Sequence, residues 1–342
     1  MDEANVTVRF DGRVYCWWQR VHIRDSVDDL CTAVQLDVTL PGQGESLPAG
    51  ENLVGKVFIG DELVATTRPD VFARKVGADS HRIRLDARSL ARELVDCQYS
   101  ATRSGQRLGE LVKWICKTFE VPLKVDATTA VVPDFSMQCE QPSNALVNAV
   151  RAANLLLYPL PDGGLILTAP TSALPVATLE YGVNIKDYEV VDEYRLRYSE
   201  YVVKGYDFHG QAAQAGRVKD AGIGYFRPLH IVADRHGQGA GGCDRRAELE
   251  RNRRQARAHR IELEVQGWRY QDADGAWHCW RVNTQVRVVI PGEQIDGVFL
   301  VGDRAFSLDD RGGHVTHLTV MRREAFAGET KVKAKKSAGR RK

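Results

Sequence analysis

The run Ile261-Glu-Leu-Glu-Val-Gln-Gly-Trp268, followed by Trp280-Arg-Val-Asn-Thr-Gln-Val-Arg-Val-Val-Ile-Pro291, decides the fold of this chain. Trp280, Val282, Thr284, Val286, Val288 and Ile290 fall on one side of an extended backbone. Arg281, Asn283, Gln285 and Arg287 fall on the other. A period of two with one apolar face predicts a half-buried strand of an antiparallel sheet or barrel. Phe299-Leu-Val-Gly302, Val315-Thr-His-Leu-Thr-Val-Met321 and Glu324-Ala-Phe326 extend the pattern to the end of the ordered-looking sequence.

Upstream, the first hundred residues have the same β texture. Val6-Thr-Val-Arg-Phe10 alternates, Asp11-Gly12 is a hairpin turn signal, and Val14 to Ile23 reads as its partner. Ser26 to Asp29 reads as a short helical turn and Ala33 to Leu40 as a strand. After the Gly/Pro loop Pro41 to Gly50 come a hairpin, Val57 to Val64, a strand, His81 to Leu85, and a short helix, Ser89 to Val95. The texture changes near Ser104. Leu108, Leu111, Val112, Ile115 and Phe119 have helical spacing and stop before Pro122. Ser143 is placed to cap a second helix with Leu146, Ala149, Val150, Ala153 and Leu157 on its apolar face. Asp162-Gly163-Gly164 then turns into Leu165 to Thr168, and Ala169 to Pro175 is a linker. β texture returns at Val183, and Tyr194 to Gly205 reads as a strand pair. A Gly-, Ala- and Gln-rich segment, Tyr206 to Gly242, precedes a helix from Asp244 to about Arg260.

The predicted fold is mainly β with α+β parts, with two related antiparallel β-barrel domains. Residues 1–103 form the first barrel and 104–178 a small α/β module. Residues 179–206 and 261–327 form the second barrel, with a loop-helix insertion at 207–260 and a basic tail at 328–342. Strands from Val6 to Leu40 are expected to correspond to 183–204, and Val57 to Leu85 to the run from Ile261 to Val320.

A chain of 342 residues, 43% hydrophobic and 27% charged, suits a soluble multidomain protein. No run of about 18 apolar residues calls for a membrane helix. Met1-Asp-Glu-Ala has no apolar signal core, so the chain is expected in the cytoplasm until assembly or release. Its seven cysteines are scattered and never paired as C-x-x-C, which predicts buried free thiols. Net charge is +2, but the tail from Gly328 carries seven Lys/Arg and one Glu, leaving 40 basic and 44 acidic residues in the body. Such a tail is either a solubilising end or a contact for nucleic acid or an acidic surface, through Lys331, Lys333, Lys335 and Lys336.

Motifs for chemistry are weak. Gly50-Glu-Asn-Leu-Val-Gly55-Lys56 has phosphate-loop spacing, but Val57 stands where a magnesium-ligating hydroxyl is needed, and a strand follows instead of a helix. Gly237-Gln-Gly239-Ala-Gly-Gly242 fits G-x-G-x-x-G before a helix, the alternative reading being a nucleotide-binding enzyme. Asp234-Arg-His236 intervenes, however, and no further βα units follow. The helix holds seven arginines from Arg245 to Arg260, interleaved with Glu248, Glu250 and Glu262. That composition fits a salt-bridged face or protein interface better than a phosphate platform. His230, Asp234 and His236 have no metal-site spacing, and His314 and His317 point to opposite faces of one strand. The tryptophans, including Trp17, Trp18 and Trp268, suit core or subunit contacts. No catalytic residue, metal ligand or cofactor site is assigned.

Arg245 to Ala327 as a whole resembles the contractile-phage baseplate hub proteins of the late control gene D family, especially the Mu-like tail hub. Val6 to Leu40 resembles the family's first barrel strands, and Arg88-Ser-Leu-Ala-Arg-Glu-Leu-Val-Asp-Cys97 the segment leading out of that barrel. Ser199-Glu-Tyr-Val-Val-Lys-Gly205 and Val265 to Pro291 resemble the second barrel. The resemblance implies a structural, non-enzymatic homotrimer with no cofactor. Its two barrels per chain adapt a sixfold tail tube to a threefold central spike, around a channel for DNA or tape-measure protein. It implies tube, spike, tape-measure and baseplate wedge proteins as partners, DNA only as passing cargo, no membrane insertion, and a place in the virion tail. Type VI secretion VgrG proteins fuse a similar hub to a spike, so a secretion or bacteriocin particle is a related reading.

The charged helix has little apolar surface with which to hold its own chain. It is therefore expected to be ordered by other subunits, with Arg246, Arg253, Arg254 and Arg257 as the candidate assembly interface and the loop before it mobile in the free protein.

Overall fold

Alternation builds the sheets as the sequence implies. In the strand Val6–Phe10, Val6, Val8 and Phe10 are buried while Arg9 is exposed. Asp11 and Gly12 both adopt positive φ, 45° and 80°, and turn this strand onto Arg13–Tyr15. A two-residue turn of that hand matches the natural twist of a hairpin. The computed structural model describes residues 5–16, 18–40, 50, 52–77, 81–205, 214–232, 242–309 and 313–327.

The first antiparallel unit runs through Arg13–Tyr15, Val6–Phe10, Gly55–Ile59, Glu62–Val76, His81–Ser89, Ala33–Leu40 and Arg20–Ser26, each pairing with the next. The predicted partner strand from Val14 to Ile23 is split, because Arg13–Tyr15 pairs with the first strand whereas Arg20–Ser26 pairs elsewhere. Residues 27–32 hold no helix. The second unit runs through Ile295–Asp309, Gly313–Met321, His259–Gln266 and Ile185–Asp192. Gln285–Ile290 pairs with the front half of Ile295–Asp309, and Ala177–Glu180 joins it in parallel.

The two units are one hydrogen-bonded sheet. Arg20–Ser26 pairs antiparallel with the back half of Ile295–Asp309, from Ser26 opposite Asp303 to Val21 opposite Leu308. One apolar core runs through both, from Ile23, Leu36 and Ile83 to Val286, Phe306 and Leu318. Next to this seam the Arg304 guanidinium donates to the Asp25 carboxylate and to the Trp280 carbonyl (3.0 Å), and it lies over the Phe306 ring. Arg304 is 3% exposed, so the pair is removed from water. Burial of an ion this deep is tolerated only with a partner in place.

The module between the units has its own core. Helices α1 (Arg92–Asp96), α2 (Leu108–Thr118) and α3 (Pro142–Ala152) pack with the ribbon of Tyr99–Arg107 and Val131–Glu140 around Leu111, Ile115, Phe135, Met137, Leu146 and Val150. Ser143 is not the cap expected of it. Pro142 takes the first helical position, Gln141 precedes the helix, and no side chain caps it. Leu157, placed on this helix by its spacing, lies in the strand Leu156–Pro159.

Glu200–Gly205 does not join the second unit as expected. It forms a separate sheet with Gln214–Lys219 and Pro228–Val232, on which helix α4 (Gly242–Arg257) lies. Tyr194–Leu196 is a short 3-10 turn, not a strand. The cysteines are free, but only Cys116, Cys243 and Cys279 are buried. Cys16, Cys31 and Cys97 are half-buried and Cys139 is exposed.

Candidate assembly interface

Helix α4 offers its own sheet few apolar groups. Cys243 and Ala247 pack on Tyr201 and Val203, and the helix N-terminus lies so close to Gly216 that a Cβ there would overlap the backbone of Cys243 and Asp244. Ala256 packs against the apolar cluster of Val27, Leu156 and Phe326, and polar contacts hold the helix further. Arg253 donates to Asn154 Oδ1 (2.9 Å) and the Arg151 carbonyl (3.3 Å). Arg257 donates to the Ala325 carbonyl (3.0 Å) and Asp28 Oδ1 (2.9 Å), and Arg151 reaches the same oxygen at 3.1 Å. Arg254 pairs with Glu250 at 2.6 Å and lies over the Tyr198 ring, which Arg227 also contacts. The expectation that this helix cannot hold its own chain is therefore corrected. Its arginines clamp it to α3, to the turn after Arg20–Ser26 and to α5 (Glu324–Ala327).

These contacts border a cleft of about 380 Å³ between α3, α4 and the C-terminal helix, where Arg151, Arg246, Arg253, Arg254 and Arg257 face only two carboxylates, Asp28 and Glu250. Burial pushes the Arg253 guanidinium down to about 10. Glu250 opposes that shift, while Arg246, Arg257 and Arg151 add to it. Burial also acts to raise the Asp28 carboxyl, but the guanidiniums of Arg257 and Arg151 outweigh it and hold it below the usual carboxylate range. Arg246 lines the cleft half-exposed. The cleft thus concentrates positive charge around two carboxylates, an arrangement suited to a further anionic group.

The four candidate arginines fall on one helix but are not equivalent. Arg253 and Arg257 bond to other elements of the chain, whereas Arg254 pairs with Glu250 of its own helix and Arg246 lines the cleft half-exposed. Lys331, Lys333, Lys335 and Lys336 lie outside the described residues, as do Trp17, Asp234, His236 and all of Gly237–Gly242 except Gly242, the first residue of α4. Lys56 and Val57 sit within the strand Gly55–Ile59, so the phosphate-loop spacing opens no helix. His314 packs edge-on against Trp268, with ring centres 4.3 Å apart, and His317 is exposed on the same strand. Among the described residues no group of three or more His, Cys, Asp or Glu is placed to hold a metal, and no helix is long and apolar enough to cross a membrane.

Sequence reasoning missed two features. The Asp25–Arg304 pair joins residues 279 positions apart, and no local pattern announces it. The loop from Asp220 to Arg227 carries exposed Tyr225 and Phe226, and its Asp-x-Gly-x-Gly start is a turn signal that could have been read.

Residues 5–89 match the GpP-like N-terminal domain of the Mu phage baseplate assembly protein. Residues 91–169 match the second domain of gp44-like baseplate hub proteins, and residues 240–329 the fourth domain of the Mu phage baseplate assembly protein GpP. Over 341 residues the chain is 27% identical to the baseplate hub protein gp44 of Escherichia phage Mu, covering 94% of this chain and 88% of that protein. Its fold is similar to that of the 43 kDa tail protein of prophage MuSo2 from Shewanella oneidensis (TM-score 0.81, 24% identity, 94% of this chain and 99% of that one). It is also similar to a tail protein from Neisseria meningitidis MC58 (TM-score 0.82, 20% identity, 95% and 98%). A more distant likeness links it to the E. coli c3393 protein, described as a type VI secretion component with structural similarity to T4 tail proteins (TM-score 0.57, 8% identity, 92% and 76%).

Proposed function

Because this chain is a Mu-like baseplate hub protein by its successive domains, we propose that it forms the trimeric centre of a contractile tail. Its role is structural and its place is the baseplate of the tail. In this reading three chains, each with two antiparallel β units, set six similar units around one axis. A sixfold tail tube can then seat on one side and a threefold central spike on the other. The enclosed channel would pass DNA or tape-measure protein as cargo. The spike, the tube, the tape measure and the baseplate wedge proteins are the partners.

The observation that carries this reading is the joining of the two β units by strand pairing and a common core, which makes each chain one stiff block. A symmetry adaptor needs such a block, since independent swivelling of the two units would blur the sixfold face. Of the candidate cations of α4, Arg246 and Arg254, together with Lys331, Lys333, Lys335 and Lys336, are the proposed contacts to neighbouring chains. No turnover is proposed.

Sedimentation equilibrium and native mass spectrometry of the purified chain test the reading. A trimer is expected; a monomer at every concentration up to the assembly range would overturn the trimeric centre. Thermal melting with NAD or ATP tests the nucleotide alternative. A rise of several degrees at sub-millimolar nucleotide would reopen the Gly237–Gly242 loop as a binding site.

A further inference from the structure

Phe226 is 84% exposed and Tyr225 61% exposed, side by side on the loop between Gln214–Lys219 and Pro228–Val232. Single exposed apolar residues are ordinary on protein surfaces. This pair is not ordinary, because its loop is held shut at the base. Ser199 ties both ends together. Its carbonyl accepts from Asp220 N (3.0 Å), its N–H donates to the Arg227 carbonyl (2.9 Å), and its Oγ accepts from Arg227 N (2.9 Å). Asp220, 6% exposed, takes a forked contact from Arg197 at 2.8–3.0 Å and also accepts from Gly222 N at 3.0 Å. Arg227 reaches back to the carbonyls of Arg197 (3.1 Å) and Arg195 (2.8 Å) and lies over the Tyr198 ring. At Gly222 a Cβ would meet the Arg197 guanidinium, which would have to shift from its place beside Asp220.

The loop is therefore stiffened by a buried charge pair while its two rings are held out in water. Preorganisation of this kind lowers the entropy lost on binding, and aromatic side chains on a fixed support are what dominate protein contacts. The aromatic loop leaves the sheet at Lys219 and Pro228, at the opposite end of the ladder from Gly205, Gln214 and Val232.

We propose that Tyr225 and Phe226 form a preorganised aromatic anchor that seats in an apolar pocket of another protein chain of the particle, with Arg227 meeting a carboxylate at the pocket rim. The inference rests on the assembly reading above and adds the residues and partner chemistry of one contact. Arg227 supplies the charge preference, because its mapped hydrogen bonds go to carbonyls and not to a carboxylate. A protein pocket suits two rings on a short rigid tip better than nucleic acid does, since the tip carries no row of cations to follow a phosphate backbone.

Hydroxyl-radical footprinting read by mass spectrometry tests the inference on the purified chain and on intact particles. Both rings should oxidise readily in the free chain and about tenfold more slowly in the particle. The variants Phe226→Ser and Tyr225→Ser/Phe226→Ser should melt at the parent temperature and enter particles about tenfold less often, the factor expected for loss of one modest contact. If the chain is in the particle but its rings oxidise as fast as before, or the folded double variant enters normally, the anchor is wrong and the hub reading stands. Pelleting of the free chain with phosphatidylglycerol–phosphatidylcholine vesicles, abolished by Phe226→Ser, would assign the tip to a lipid surface and overturn the protein pocket. If the chain is absent from particles, the hub reading falls and the anchor with it.

Discussion

Arg257 donates from Nη2 to Asp28 Oδ1 at 2.9 Å across 229 positions of sequence, and this bond fastens the charged helix to the first β unit. Asp28→Asn keeps the shape but removes the charge that Arg257 and Arg151 share. We expect a loss of about 2 kcal/mol in urea unfolding, in line with hydrogen bonds to charged groups. The pH dependence has a definite sign. The folded Asp28 carboxyl is held below its ordinary value, so its contribution is complete above the unfolded pKa of about 3.9 and is lost as pH falls through the folded value. Asp28→Asn should therefore remove part of the acid-induced loss of stability below about pH 4, and comparing the acid limbs of the two proteins checks it.

Charge reversal separates the arginines of α4. Arg253→Glu and Arg257→Glu should each destabilise the isolated chain, because both side chains are committed to Asn154, Ala325 and Asp28. A drop of several degrees in Tm is expected for each. Arg246→Glu should leave Tm within about a degree, as for an ordinary surface substitution, and weaken assembly. Melting curves and oligomeric mass at moderate salt measure both effects.

Removing one partner of the Asp25–Arg304 pair should cost far more than removing both. Asp25→Ala alone is expected to lose about 3 kcal/mol or more, since it leaves a guanidinium uncompensated beside the common core. Asp25→Leu with Arg304→Met should lose much less. A double-mutant cycle in denaturant gives the coupling directly, and additive losses would show that the two charges act independently.

Gly216→Ala should loosen α4 without touching a charge. The added methyl would overlap the backbone of Cys243 and Asp244, which cannot move without shifting the helix. A cost of about 1–3 kcal/mol is expected for such overpacking. Limited proteolysis should show faster cleavage near residue 242 than in the parent.

Local patterns made most of the β structure legible. Alternation in Val6–Phe10, the Asp11-Gly12 turn and the apolar face Val282, Val286, Val288 and Ile290 all stand as read. The strand predicted from Trp280 is shorter, because Asn283 adopts a positive φ of 56° and regular pairing begins only at Gln285. What sequence could not supply was partner choice over long distances. The continuous apolar run Tyr201-Val202-Val203 suits a buried strand in either sheet, so its assignment failed. The arginines of α4 were legible as charged but not as bound, since Asp28, Arg151 and Asn154 are remote in sequence. The proposed aromatic tip was obscured for the same reason: only the fold shows that Ser199 closes the loop carrying Phe226.

The pairing of Arg20–Ser26 with Asp303–Leu308 also sets a timetable for synthesis. One border of the N-terminal sheet has no partner until the ribosome has added almost all of the remaining chain. At ordinary elongation rates that interval is on the order of tens of seconds. During it a row of open amides and carbonyls flanks Val21 and Ile23, a surface on which nascent copies can mispair. Arg20, Arg24 and Asp25, placed among those apolar residues, put charge on that waiting strand until its own C-terminal partner emerges.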